Sequence, residues 1–195
     1  MIGALLSSIV LAATATTAPP LPAGYAPLAD DLQIIVVGVP EAWTDIDTTP
    51  GLNPDGTLRP YLAASTDQDA FFSSFDAPGL LYVALPYTED LVTVFSEFGL
   101  QSGCEQMEAK TYDDPVFVGV IQIGANCGPS GMNWTMVVAN PTTVPGTFTA
   151  LLQVQSTEPA EIQNVLLTFN HTLDAGATDL GPAVTTIPGI STTVA

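Results

Sequence analysis

The two cysteines of the chain, Cys104 and Cys127, have the spacing of a disulfide and not of a metal site. Zinc sites use four ligands with short CxxC-type spacings, and two cysteines with one distant histidine, His171, do not supply them. The cysteines fall at the start of one strand-like segment and the end of the next. Because those ends are neighbours in an antiparallel pair, we predict a Cys104–Cys127 disulfide, which places the protein outside the cytosol.

His171 is the only histidine and therefore the first candidate for a general base. Serine-type catalysis requires a histidine within hydrogen-bond reach of a serine and an aspartate. The serine-containing turn at 128–131, Gly-Pro-Ser-Gly, lacks the GxSxG pattern of a nucleophile elbow. A histidine after the predicted last helix more commonly interacts with the helix dipole. We therefore predict no catalytic residue, and a protein that is not an enzyme.

Acidic side chains offer a second kind of chemistry, the binding of Ca²⁺ through oxygen ligands. Asp45, Asp47 and Asp55 lie in a loop rich in glycine and proline, but their spacing fails the EF-hand pattern. A solvated acidic loop is favoured, and Ca²⁺ binding or hydrolysis by dispersed carboxylates stays the alternative. The pair at 89–90 is explained by a helix N-terminus, and the pair at 113–114 by a turn.

Two further residues each have a structural and a functional interpretation. Trp43 follows a predicted strand, where an aromatic ring more often fills the core than stacks on a ligand. Arg59 is isolated among acids, so it is either a structural ion-pair partner, which is favoured, or an anchor for an anionic ligand. No Walker or dinucleotide-binding loop is present, so no cofactor is predicted. The triplets at 133–135 and 170–172 match the glycosylation pattern, which matters only in a eukaryote.

The charge balance excludes two classes of partner. The chain has 2 strong bases against 20 acids, for a formal net charge of −18. Nucleic-acid binding requires clustered lysines and arginines, and docking on an anionic membrane requires them too. Since only 11% of the residues are charged, the rest of the surface must be neutral and polar. The expected partner is therefore a protein or small ligand outside the cytosol.

Composition divides the chain into four parts. Residues 1–17 contain an apolar run and a small-x-small motif, typical of a signal peptide or the remnant of a membrane anchor, although no basic residue precedes the run. Residues 18–29, rich in proline and alanine, indicate a linker. We expect a single domain at 30–171, and a disordered tail at 172–195. The chain is therefore predicted to be secreted or held in the cell envelope, with any membrane contact made by its N-terminal segment.

Hydrophobic periodicity predicts an α+β domain, with helices packed on a mostly antiparallel sheet. An apolar stripe at i, i+3, i+4 and i+7 marks the clearest helix. The predicted helices are at 67–75, 88–98 and 158–169, with Thr66 and a threonine at 88 as N-caps. The predicted strands are at 32–39, 61–65, 79–85, 106–112, 116–125, 134–140 and 147–155, and the last four form a meander.

Four stretches of sequence carry a resemblance to a known domain. Residues 39–51 (VPEAWTDIDTTPG) and 58–85 (LRPYLAASTDQDAFFSSFDAPGLLYVAL) resemble an uncharacterised exported domain of actinobacteria. Residues 104–128 and 148–169 are similar to the same domain, including its paired cysteines. The order of elements also resembles the PsbP-like superfamily, which implies an α/β/α sandwich, an antiparallel sheet flanked by helices.

The resemblance implies binding or assembly and no catalytic residues. Similar domains in actinobacteria sometimes follow a trypsin-like serine protease module. We therefore expect a secreted or membrane-tethered, disulfide-stapled, non-catalytic binding or accessory domain. The alternatives are the C-terminal accessory part of such a protease, and a hydrolase or Ca²⁺-binding protein.

Overall fold

The computed structural model describes residues 20–99 and 102–174. The predicted leader at 1–17 and most of the predicted tail lie outside the described residues. The described elements are the helices α1 (Gln68–Ser73), α2 (Leu91–Phe98) and α3 (Pro159–Thr168), and the strands β1 (Tyr25–Ala29), β2 (Ile35–Pro40), β3 (Asp45–Asp47), β4 (Gly51–Leu52), β5 (Leu58–Arg59), β6 (Tyr61–Ser65), β7 (Gly79–Pro86), β8 (Cys104–Asp113), β9 (Phe117–Cys127), β10 (Met132–Pro141), β11 (Phe148–Ser156) and β12 (Asn170–His171).

A seven-stranded antiparallel sheet forms the centre of the fold, in the order β3-β6-β7-β11-β10-β9-β8. The meander predicted from the sequence is confirmed, because β8 pairs with β9, β9 with β10, and β10 with β11. Strand β10 lies inside the sheet, and most of its residues are buried. The short loops between these strands leave antiparallel neighbours as the natural arrangement.

A second sheet corrects the predicted linker. Strand β1 pairs with β2 along its whole length, from Tyr25 opposite Pro40 to Ala29 opposite Val36. The linker predicted at 18–29 is therefore wrong for residues 25–29. Because β1 is an outer strand of the order β1-β2-β12, Pro27 can occupy it without removing a donor from the interior of a sheet.

The loop predicted before residue 60 is also partly ordered. Strands β4 and β5 form a small hairpin, closed by a turn in which Gly56 has a φ of 85°. Strand β3 pairs with β6 and adds a three-residue edge strand to the large sheet.

The main core lies between one face of the large sheet, α3 and the small sheet. Helix α3 contacts β2, β10 and β11. At the centre of this core, the ring of Phe169 stacks on that of Phe117, with centroids 4.7 Å apart, and meets the ring of Tyr82 edge-on at 5.7 Å. We call this side of the large sheet the α3 face.

The opposite side, which we call the α2 face, carries a smaller cluster. Its buried members are Cys127 and the β10 residues Met132, Trp134, Met136 and Val138. Helix α2 packs here against β9 and β10, but none of its own residues is buried. Strand β10 supplies both faces because alternate side chains of a strand point to opposite sides.

Helices α1 and α2 begin one and three residues later than predicted because aspartates cap them. The side chain of Asp67 accepts from the Ala70 N–H at the start of α1, and that of Asp90 accepts from Thr93 at the start of α2. Thr66 and Thr88 are therefore not the N-caps. A carboxylate is the better partner at this position, since it also interacts favourably with the helix dipole.

The fold is α+β and rich in antiparallel sheet, with short helices. Among the described residues, no helix is long and apolar enough to cross a membrane.

Candidate functional site

The predicted disulfide is confirmed. Cys104 and Cys127 are bonded, with 2.04 Å between their sulfur atoms, and they face each other at one end of the β8–β9 pair. Gly124 leaves room for the bridge, because a Cβ atom there would lie 2.6 Å from the Cys104 sulfur. The bridge joins the outermost strand of the large sheet to its neighbour.

A half-open cavity of about 220 Å³ lies on the α2 face, between α1 and the strands β10 and β11. Aromatic rings, hydroxyl groups and amides share its wall. The lining residues are Phe71, Phe72, Ser73, Ser74, Phe75, Trp134, Gln153 and Gln155.

The aromatic part of the wall comes from α1 and the residues that follow it. Phe71 is buried, and its ring meets that of Phe72 edge-on at 4.9 Å. Phe75 lies over Gly128, where a Cβ atom would come within 2.7 Å of the Phe75 Cβ atom. Gly128 also has a φ of 61°, which favours glycine. The turn after β9 therefore positions Phe75.

A buried glutamine fixes the segment after α1 to the sheet. The Gln155 amide donates to the carbonyl of Ala77 at 2.8 Å and to that of Ser74 at 3.3 Å. The Ser74 hydroxyl in turn donates to the Ala70 carbonyl. Since β11 is a central strand, this side of the cavity is pre-formed.

Trp134 gives the cavity its most unusual polar feature. The side chain is 1% exposed, and its indole Nε1 has no hydrogen-bond partner among the described residues. A buried donor without an acceptor costs free energy. The lining contributed by the described residues holds no carboxylate, histidine, cysteine, lysine or arginine. The wall of the cavity thus combines aromatic rings with hydroxyl and amide groups.

The sequence predicts that His171 lies at a helix end, but the structure places it in a strand. Helix α3 ends at Thr168, and His171 belongs to β12, which pairs with β2. Its ring lies edge-on to those of Phe117 and Phe148, and its Nε2 atom is 2.9 Å from the Thr143 hydroxyl.

The surroundings of His171 favour a neutral ring. Burial lowers its pKa, and the backbone of Leu173 offsets part of that effect. The serine of the turn at 128–131 donates instead to Asp76, at 2.9 Å. Among the described residues, the neighbours of His171 are thus a hydroxyl, a backbone group and two phenyl rings, with no serine–aspartate pair.

The loop acids have separate local partners. Asp45 accepts from the Gln68 N–H at 2.8 Å, Asp47 accepts from the Thr49 N–H, and Asp55 accepts from Thr57. Hydrogen bonds from Thr57 lower the pKa of Asp55. Within the described ranges, no three histidine, cysteine or acidic side chains are grouped so as to hold a metal ion.

The structure confirms the favoured interpretation of Trp43 but not that of Arg59. Trp43 is buried in the main core, so the structural interpretation is confirmed. Arg59 lies over Gly51 in the β4–β5 hairpin, and its Nε atom is buried without a hydrogen-bond partner. The favoured ion pair of Arg59 is not found in the part of the chain that the structure describes.

One buried acid was missed by the sequence analysis. Asp30 has no exposed surface and accepts N–H groups from Leu32, Ile34 and Ile35 at 2.7–3.0 Å. Burial raises its pKa, against the opposing effect of these three donors. Its role is to close the turn between β1 and β2. An aspartate before an apolar strand was the only hint in the sequence.

Asp114 has a similar role and was predicted as a turn residue. It accepts from the Val116 and Phe117 N–H groups, each at 2.7 Å, and from the Tyr112 hydroxyl. The turn between β8 and β9 is therefore held by one carboxylate, and this prediction is confirmed.

Comparison of the chain with protein-family models and with curated proteins found no match.

Proposed function

We propose that the protein is an exported, disulfide-stapled, non-catalytic binding or accessory domain, and that the aromatic cavity on the α2 face is its ligand site. The observation that carries the proposal is the character of the cavity wall. In the part of the chain that the structure describes, this wall offers phenyl rings, an indole and amides for contact, and no titratable group for proton transfer.

The export part of the proposal rests on three features. Disulfides persist in oxidising compartments, and the bridge joins the two cysteines of this chain. The segment 1–17 has the composition of a signal peptide or anchor. The net charge of −18 on few charged residues suits a neutral-polar surface outside the cell.

The α/β/α layering of PsbP-like proteins is part of the proposal. Helices α1 and α2 lie on one face of the large sheet, and α3 lies on the other. That arrangement supports the resemblance, with the difference that the small β1-β2-β12 sheet shares the α3 face. An accessory role beside a serine protease module rests on the resemblance alone. The Ca²⁺-dependent alternative has less support, because each loop acid has its own partner.

A small aromatic amide tests the binding site. Benzamide offers a phenyl ring for the aromatic wall and a carbonyl acceptor for a donor. We expect saturable binding that shifts the indole N–H resonance of Trp134 in a ¹⁵N NMR titration. Trp43 is the second tryptophan and lies in the main core, so its indole signal is the internal control.

Two variants locate the binding. Phe72 is 52% exposed, so Phe72→Ala removes part of the wall at little expected cost in stability, and we expect the Kd for benzamide to rise at least about threefold. Leu167→Ala on α3, where Leu167 is 62% exposed, is the matched control and should leave the Kd unchanged. Equal shifts of both indole signals, or no saturation, would contradict the site.

Two further measurements test the class of protein. Expression of the whole chain in a bacterial host, followed by mass spectrometry of the mature protein, should show export and cleavage near residue 15. Turnover of a nitrophenyl ester that is abolished by His171→Ala would overturn the non-catalytic part of the proposal.

A further inference from the structure

Strand β8 is an open edge of the large sheet. It is ten residues long, and among the described residues no strand pairs with its outer side. All side chains from Glu105 to Thr111 are exposed, on both faces. The other edge, β3, has only three residues, and Asp45 ties it to α1. A long exposed edge is a template for another strand.

The hydrogen bonds of the β8–β9 turn show which amides face outward. The Asp114 N–H donates to the Phe117 carbonyl at 3.0 Å, so these two residues form a hydrogen-bonded pair. Hydrogen-bonded and non-hydrogen-bonded pairs alternate in an antiparallel ladder. The register is unbroken from Asp113 opposite Val118 to Gln106 opposite Ala125. The backbone groups of residues 107, 109, 111 and 113 therefore point away from β9.

The charges on this edge are self-complementary. Lys110 is one of two strong bases in a chain of net charge −18, and Glu108 precedes it by two positions. When two copies of β8 lie antiparallel about a two-fold axis through Ala109, Glu108 of each copy faces Lys110 of the other. These are non-hydrogen-bonded pairs, in which side chains approach most closely.

The geometry points to a second copy of this chain as the strand that covers β8. In the register centred on Ala109, Ala109 pairs with its own symmetry mate, and Met107 pairs with Thr111, through about six backbone hydrogen bonds. Centring on Glu108 or Lys110 would place like charges opposite each other, which is unfavourable. The contact is isologous, so it closes as a dimer with one continuous sheet and does not propagate.

Net charge opposes this dimer. Two copies of charge −18 repel each other. At high salt concentration this repulsion is screened at distances beyond a few ångströms. We therefore expect the dimer to be weak in dilute buffer and stronger at about 0.5 M NaCl, where the Debye length is only about 4 Å.

Sedimentation equilibrium of the full chain at high salt, up to about 0.5 mM protein, measures the association. We expect a monomer–dimer equilibrium. Lys110→Glu and Glu108→Lys should each raise the dimer Kd by roughly tenfold, and the double variant with both changes should restore it. Glu108→Lys is decisive, because it lowers the net negative charge but creates like-charge pairs.

A backbone variant tests the strand pairing separately. The Ala109 N–H faces outward, so Ala109→Pro removes a donor from the outer edge and none from the β8–β9 ladder. It should abolish the dimer, whereas the matched Ala109→Ser should not. Tighter association of Glu108→Lys, or a dimer insensitive to Ala109→Pro, would overturn the proposal. A chain that stays monomeric would also overturn the proposal. If the Ala109 N–H of that monomer were protected from hydrogen exchange, another part of the chain would be covering β8.

Discussion

The two faces of the large sheet are stabilised in different ways. The α3 face buries a continuous core that includes α3, the small sheet and a group of stacked aromatic rings. On the α2 face the buried cluster is small, α2 has no buried residue, and a cavity remains beside Trp134. The disulfide belongs to this second face, since Cys127 is part of its cluster.

The difference shows that apolar burial stabilises one face of the sheet and a covalent cross-link the other. Apolar burial contributes roughly 25 cal/mol per Å², so a face with little buried area contributes little. A covalent bridge acts by another route, because it restricts the unfolded chain. The protein thus places its cross-link on the face where packing is weakest and where a cavity remains.

The largest test compares one phenylalanine on each face. Phe169→Ala removes a buried ring from the aromatic group, and we expect a loss of about 3–5 kcal/mol in the free energy of unfolding. Phe95→Ala removes a half-buried ring of α2, with an expected loss of about 1 kcal/mol. Urea unfolding followed by circular dichroism measures both. Equal losses would show that the two faces do not differ in this way.

The second test removes the cross-link. Replacing both cysteines by serine should lower the free energy of unfolding by about 3 kcal/mol in the chain-entropy model for a loop of this size. Hydrogen exchange should then accelerate first in β8 and β9, while the amides of β2 keep their protection. Uniform acceleration across both sheets would argue against a local role for the bridge.

The smallest effect concerns His171 on the α3 face. Burial lowers its pKa in the folded state, so between about pH 6.5 and the lowered value the unfolded chain binds more protons. Its contribution to stability is therefore complete above about pH 6.5 and is lost as the pH falls through the folded-state pKa. His171→Gln should flatten this part of the stability curve between about pH 7.5 and pH 5. A curve unchanged from that of the wild type would exclude the effect.

Sequence periodicity predicted the elements whose partners are close along the chain. The four-strand meander and the three helices are present, with shifts of one to three residues at their ends. The cysteine pairing followed from the same meander, because its strands are consecutive. Local rules succeed here since apolar spacing, turns and caps are all encoded within about a dozen residues.

Features that depend on distant residues were not predicted. The sequence predicts a linker where β1 lies, because its partner, β2, has to be known before Pro27 is acceptable in a strand. His171 was assigned to a helix end, but it contacts Phe117 and Phe148, which are far away in sequence. The cavity was missed for the same reason, as its wall joins α1 to β10 and β11.

The sulfur bridge also limits how β8 can move. Side chains of a strand alternate between faces, so slippage by one residue would exchange the two surfaces of β8, and slippage by two would displace its charges. Anchoring Cys104 opposite Cys127 forbids both movements. Any molecule that approaches the outermost strand therefore always meets the same sequence of amides and side chains in the same register.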